Sequence, residues 1–431
     1  MLVSIVRFWY NGWIKTTYID PSFHFKYFGF EWVKDFGIYT YLIFIICALS
    51  SIFISIGYKY RYSIIIFFLS FTYIELIDKT TYLNHYYFIS SISFLMCFLP
   101  LNCYFSIDSF LSKKSIKTQP KWTVDSIKLM LTIVYFYAGI AKINSEWLLK
   151  AMPLSIWLPS KYDLPLIGSN LMQEQWVHYL MSWGGMFYDL LIPFLLLYKR
   201  TRLFAFLLVI FFHVFTKVLF PIGMFPYIMI VASLIFFDSK THEKILKVIR
   251  KVIDYLNFKK YKIANLPKAI NSNGIKVNKL SFSIIVIFFI LQILIPLRYT
   301  LYPGELFWNE QGYRFSWRVM LIEKRGYSNF KIVDSISKKY FYVQNDDFLT
   351  SYQEKQMSFQ PDFILEYAHY LGDHFKSQGH KNIQIFVDSH VALNGRSSTR
   401  FIDSNVNLYN EKESFKHKKW IIPFKDEIKG F

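Results

Sequence analysis

The chain alternates between long uncharged runs and short stretches crowded with lysine and arginine. Residues 36–58 carry no charged side chain, which is long enough for a helix to cross a bilayer. Mostly apolar runs with at most three charged residues cover residues 63–77, 86–107, 124–144, 176–198 and 203–220. After the breakers Pro221, Gly223 and Pro226 another run ends near Phe237, and a last one covers residues 280–297. The pattern predicts a polytopic α-helical membrane bundle of about eight spans. From Arg298 the periodicity changes. Residues 330–333, 340–343 and 383–387 read as strands, residues 359–375 have helical spacing, and Asn394-Gly395 is a hairpin signal. The expected organisation is a bundle over residues 1–297 and a small α+β domain with an antiparallel sheet over residues 298–431.

The basic stretches set an orientation. Residues 58–62, 111–122 and 198–202 are basic without an acid, and residues 239–279 hold eleven Lys or Arg against Glu243 and Asp254. With eight spans these four loops fall on one side, and the positive-inside rule makes that side cytoplasmic. The expected location is the cytoplasmic (inner) membrane, with the C-terminal domain extracytoplasmic. Residues 242–256 have apolar positions at helical spacing with basic residues opposite, as for a helix lying on the inner leaflet.

Composition agrees with a lipid environment. Of 431 residues 53% are hydrophobic and 18% charged, against about a quarter charged in a soluble protein. The net charge of +19 would point to nucleic acid in a soluble chain. Here the lysines sit in short loops between spans, so a lipid membrane is the expected partner and nucleic acid is not. Cys47, Cys97 and Cys103 lie in apolar runs with no zinc or redox spacing. No cleavable signal peptide is visible, and the opening residues MLVSIVRFWYNGW look like the end of a first helix.

Charges inside the spans are the candidate chemistry. Residues 129–141 are uncharged and Lys142 follows. At ~1.5 Å per residue that run covers roughly 20 Å, short of the roughly 30 Å hydrocarbon core. Lys142 or Lys128 must therefore lie below the interface, where an ionisable group is a functional candidate; a snorkelling lysine is the plainer alternative. The predicted topology puts His85, Lys142 and the pair His213 and Lys217 at the outer ends of three different spans. Asp189 lies mid-span and needs a partner, whether as a hydrogen-bond hub or in catalysis. Glu75, Asp78 and Lys79 read as a local charge cluster. No HExxH, Walker loop or GxSxG occurs, and His369 and His374 share a helix face poorly, so no metal is expected.

At YFYAGIAKINSEW (135–147) the chain resembles the vitamin K-dependent γ-glutamyl carboxylase family, whose membrane part is called the HTTM domain. LIDKTTYLNH (76–85), FFHVFTKVLFPIGMFPYIM (211–229) and YRFSWRVM (313–320) agree in the same order, and the similarity runs from about residue 20 to about 425. The resemblance implies that Lys142 is the catalytic base and that His85 acts near the reacting glutamate, with Asn84 beside it. It further implies that His213, Tyr313 and Trp317 contact the quinone. Family members often have a second lysine before the base, where this chain has Ala141.

The implied reaction needs a reduced vitamin K-type naphthoquinone (menaquinol or phylloquinol), dioxygen and carbon dioxide. A neutral lysine removes a quinol proton, from a phenol comparable to tyrosine at about pKa 10. Dioxygen then converts the quinol to an alkoxide base and finally an epoxide, and the glutamate carbanion adds carbon dioxide. The implied partners are a lipid quinone and a glutamate-containing polypeptide on the outer face. Two alternatives stand beside this reading: quinol epoxidation without protein carboxylation, and a non-catalytic quinone- or lipid-binding protein. A transporter using Asp189 and Lys142 would favour an inverted repeat, and none is evident. Reporter tags in the loops test the orientation: a tag within residues 239–279 is expected to stay protected from external label, and external labelling there would break the convergence of bases.

Overall fold

The computed structural model describes residues 1–103, 106–112, 115–116, 120–160, 170–255, 269–270 and 278–431. Parts of the expected loops 111–122, 144–175 and 239–279 lie outside the described residues, as do two residues of the expected span 86–107.

Among the described residues six helices are long and apolar enough to cross a membrane: Gly37–Ile56, Tyr60–Ile77, Lys121–Ile140, Gln175–Leu197, Arg202–Leu219 and Lys279–Leu301. Each matches an expected span. The other two expected spans are shorter helices. Asn84–Cys97 has 14 residues and gives way to a turn before Pro100, while Phe225–Ser233 has 9 and continues as a 3-10 turn to Phe236. The spans keep wide apolar faces uncovered, such as Leu203, Phe204, Leu207 and Phe211 on one helix. A soluble protein avoids contiguous apolar patches of that kind; a hydrocarbon phase requires them. This is a multi-pass membrane protein. The basic amphipathic segment is a helix, Ser239–Tyr255.

The C-terminal part carries a four-stranded antiparallel sheet in the order Tyr340–Tyr342, Lys324–Asp334, Ile383–Leu393, Thr399–Arg400. Inward residues Phe330, Ile332, Ile385, Val387 and Val391 are buried with helix Pro361–Ser377, which contributes Phe363, Ile364, Tyr367 and Leu371. Strand Lys324–Asp334 starts earlier than its apolar pattern suggests, because Lys324 is buried against Glu310 at 2.7 Å and its Nζ donates to the Trp308 carbonyl at 2.9 Å.

The segment after span Tyr60–Ile77 docks the two parts, and it splits the expected charge cluster. Asp78 accepts from Thr80 N at 2.8 Å, Thr80 Oγ1 at 2.6 Å and Gln353 Nε2 at 2.8 Å, and it pairs with His24. Lys79 turns the other way and pairs with Asp362 at 2.9 Å and Glu366 at 3.1 Å. Arg314 joins Asp362 at 2.6 Å. Glu75 belongs to neither group. Burial alone would raise the Asp362 carboxyl, but the charges of Arg314 and Lys79 outweigh it and hold the group well below the usual carboxylate range. Replacing Asp362 with Asn leaves two buried cations short of their counter-charge. That is expected to cost ~3–5 kcal/mol, read as a fall in thermal unfolding temperature of the detergent-solubilised protein. An unchanged unfolding temperature would contradict the docking role.

Candidate active site

Helix Lys121–Ile140 packs against helix Gln175–Leu197, and Gly139 sets how closely. A Cβ on Gly139 would stand 2.8 Å from the backbone nitrogen of Leu190, so no larger residue fits without moving a helix. One residue before Leu190 is Asp189. Lys142, in the turn that ends the first helix, donates from Nζ to Asp189 Oδ2 at 2.7 Å and to the Ala138 carbonyl at 3.1 Å. Both side chains are buried. Pro193 sits four residues after Asp189 inside its helix and has no N–H to give the Asp189 carbonyl.

The chain after Lys142 is held against the same helix. Asn144 caps the short helix Ser145–Lys150 through Trp147 N at 2.9 Å. Trp147 Nε1 donates to the Ser182 carbonyl at 2.7 Å, and the Ser182 hydroxyl donates back to the Trp147 carbonyl. Lys142 Nζ lies 5.3 Å from the centroid of the Trp147 ring. Glu146 is buried and takes Arg396 at 2.7 Å and Asn394 at 3.2 Å. Burial raises its carboxyl, but hydrogen bonds from Arg396 and Lys150 outweigh that and leave it lowered. The turn carrying Lys142 is thereby tied to the C-terminal domain.

A cavity of about 660 Å³ opens beside the pair. Its wall is mostly aliphatic and aromatic, with Lys142, Asp189, His213, Tyr135, Tyr188 and Thr216 among its few polar groups, the composition expected of a site for a mostly apolar ligand. Trp176, Leu180, Leu191 and Phe211 also line it and are more than half exposed, so its mouth lies between two spans on a lipid-facing surface. His213 Nε2 is 3.0 Å from the Tyr135 hydroxyl, and its Nδ1 is buried without a partner among the described residues. Tyr188 stacks on Phe212 at 3.8 Å.

His85 lies in a second cavity, of about 930 Å³. Its surroundings are more polar: Arg7, Asp78, Thr80, Asn84 and Gln353 line it. The His85 ring packs on Tyr86 at 4.5 Å and Phe225 at 5.9 Å. Asn84 accepts from the Tyr82 hydroxyl at 3.1 Å and donates to the Arg318 carbonyl at 3.0 Å.

The structure thus brings Lys142 and His213 to one cavity, and His85 and Asn84 to a neighbouring one. Tyr313 and Trp317 line neither. Tyr313 packs near Phe307, and Trp317 is fully buried in a stack on Tyr87 at 4.7 Å. The neighbouring Val319 and Met320 reach the cavities instead. Lys217 does not line the Lys142 cavity. Asp189 is the contact partner of Lys142 that hydropathy left unassigned; its signal was a mid-span acid that nothing nearby in sequence could neutralise. Lys142, expected as a base, is one half of a lysine–carboxylate pair.

Residues 1–240 match the HTTM domain family, and residues 277–427 match the family described as vitamin K-dependent gamma-carboxylase, lumenal domain. No solved structure matches the chain. The first match covers more than half of the chain and the second follows it in order, so the chain belongs to the vitamin K-dependent gamma-carboxylase family, with an HTTM domain followed by a lumenal-type domain.

Proposed function

We propose that this protein is a membrane-embedded, quinol-dependent γ-glutamyl carboxylase and quinol epoxidase. The Lys142–Asp189 pair is its base, and the two cavities take its two organic substrates. The observation that carries the reading is the 2.7 Å contact between Lys142 and Asp189 on the wall of an apolar cavity that opens towards lipid.

In this reading the two groups in contact handle a proton as one unit. With one proton between them the pair is neutral overall and retains one vacant position. A quinol hydroxyl placed against it gives its proton to that position, and the resulting positive pair faces the quinolate it has made. Tyr135 holds the His213 ring through Nε2, and that ring forms part of the cavity wall. The apolar wall keeps water from the reacting groups, which matters because a base strong enough for a glutamyl γ-hydrogen would be quenched by it.

The reduced naphthoquinone supplies electrons and, with dioxygen, a base stronger than any side chain. Overall, quinol, dioxygen, a glutamyl C–H and carbon dioxide become epoxide, γ-carboxyglutamate, water and a proton. His85 and Asn84 are positioned to orient the glutamyl side chain, with Arg7 as a cationic group for its carboxylate. The C-terminal domain lies outside the inner membrane in this reading, so the polypeptide substrate arrives from the outer face.

The test is quinol-dependent epoxide formation by the purified protein. Lys142→Ala is expected to lose ~10²-fold or more in rate, the usual share of a general base, while saturable quinone binding persists. Full activity in that variant would sink the assignment. If the pair acts as a unit, Asp189→Ala and the Lys142→Ala/Asp189→Ala double variant lose about as much as Lys142→Ala alone. Losses that multiply would show two independent roles.

A further inference from the structure

The two cavities share a wall. Ile222, Phe225, Val319 and Met320 line both. The Phe225 ring lies 5.9 Å from the ring of His85 on one side and 5.7 Å from the ring of His213 on the other. The wall is therefore one side chain thick between the two histidines.

Two irregular segments build it. One is the break between spans at Pro221–Gly223, where Gly223 has φ +60°, followed by helix Phe225–Ser233. The other is the stretch 315–320, in which Phe315, Trp317 and Met320 have φ of 61°, 60° and 55°. Left-handed backbone at a bulky residue costs on the order of 1–3 kcal/mol and persists only where the surroundings impose it. Here they do. Trp317 is locked on Tyr87, Arg314 on Asp362, and Arg318 Nη1 donates to the Phe431 carbonyl at 3.1 Å. The docked C-terminal domain thus presses Val319 and Met320 against Phe225. The four wall side chains are all apolar, so the barrier can yield without breaking a side-chain hydrogen bond.

We propose that Phe225, backed by Met320, is the coupling residue of the enzyme: it keeps water of the polar cavity out of the Lys142 cavity and yields when a glutamyl side chain fills the His85 side. This rests on the quinol reading above. A strong base formed beside Lys142 has two proton sources. Taken from the glutamyl γ-carbon, the proton leaves a carbanion that joins carbon dioxide. Taken from water, it leaves hydroxide and carboxylates nothing, and the net reaction is quinol and dioxygen to epoxide and water. Both routes consume the quinol, so the wall decides how many epoxides are formed per carboxylation.

Two readouts test it. Thr216 lines only the Lys142 cavity. In a chain whose Cys47, Cys97 and Cys103 are replaced by Ser, a Thr216→Cys thiol is expected to react slowly with a charged, water-soluble thiol reagent. Adding Phe225→Ala speeds that by about tenfold or more once the water barrier is gone; an equal rate overturns the proposal. With a glutamyl peptide, quinol, dioxygen and carbon dioxide, Phe225→Ala and Met320→Ala raise the epoxide-to-carboxylation ratio by about threefold or more, while Phe225→Leu stays near the parent. An unchanged ratio in both alanine variants overturns it as well. Absence of any epoxide from the parent protein would instead end the quinol reading, and the thiol rates would still decide whether Phe225 is the water barrier.

Discussion

A charge in hydrocarbon has no water to turn to, and the arrangement around Lys142 follows from that. Leaving such a group unpaired at bilayer depth costs at least ~2.5–3.5 kcal/mol, so the protein brings it a carboxylate. Doing so requires two spans to touch where Gly139 meets Leu190, because only there does Asp189 come within 2.7 Å of Lys142. The same contact makes chemistry possible. A pair that is neutral overall can sit beside an apolar cavity and still accept a proton, which neither an isolated ammonium nor a hydrated lysine could do.

The C-terminal domain is held by charges too, but in a different setting. Lys79, Arg314 and Asp362 form a buried cluster in which several partners converge. Glu146 with Arg396 ties the turn after Lys142 to the same domain. These two clamps fix the domain at both ends of the site. Between them the stretch 315–320 is forced into left-handed backbone, and its end forms part of the cavity walls. Docking and site geometry are therefore one problem: a change in the Lys79 cluster also bears on where Met320 stands.

The bundle was legible in the sequence because lipid-facing helices must be uncharged along most of their length, as in the runs ending at Ile56 and Leu219. Where a span is short the pattern misleads: residues 86–107 look continuous in hydropathy, yet the helix ends at Cys97. The strands were legible in part, since Lys324 hides a buried strand start behind a charged name. Lys142 stood out from helix length alone. Its partner did not, because pairing Asp189 with Lys142 depends on a glycine contact between helices 47 positions apart in the chain. Separate cavities for His85 and His213 were likewise out of reach. Topology gives depth along the bilayer normal but not lateral position, and Phe225 decides the latter. Tyr313 and Trp317 show the same limit. Their segment reaches the site, but its backbone turns Val319 and Met320, rather than the two aromatic rings, towards the cavities.

The most direct measurement is an experimental structure of the protein with a reduced naphthoquinone bound. The account predicts one ring hydroxyl at hydrogen-bond distance, about 3 Å, from Lys142 Nζ or an Asp189 carboxylate oxygen, with the tail leaving past Leu180 and Phe211 into lipid. A quinone ring seated elsewhere, with the Lys142–Asp189 pair untouched, would contradict it.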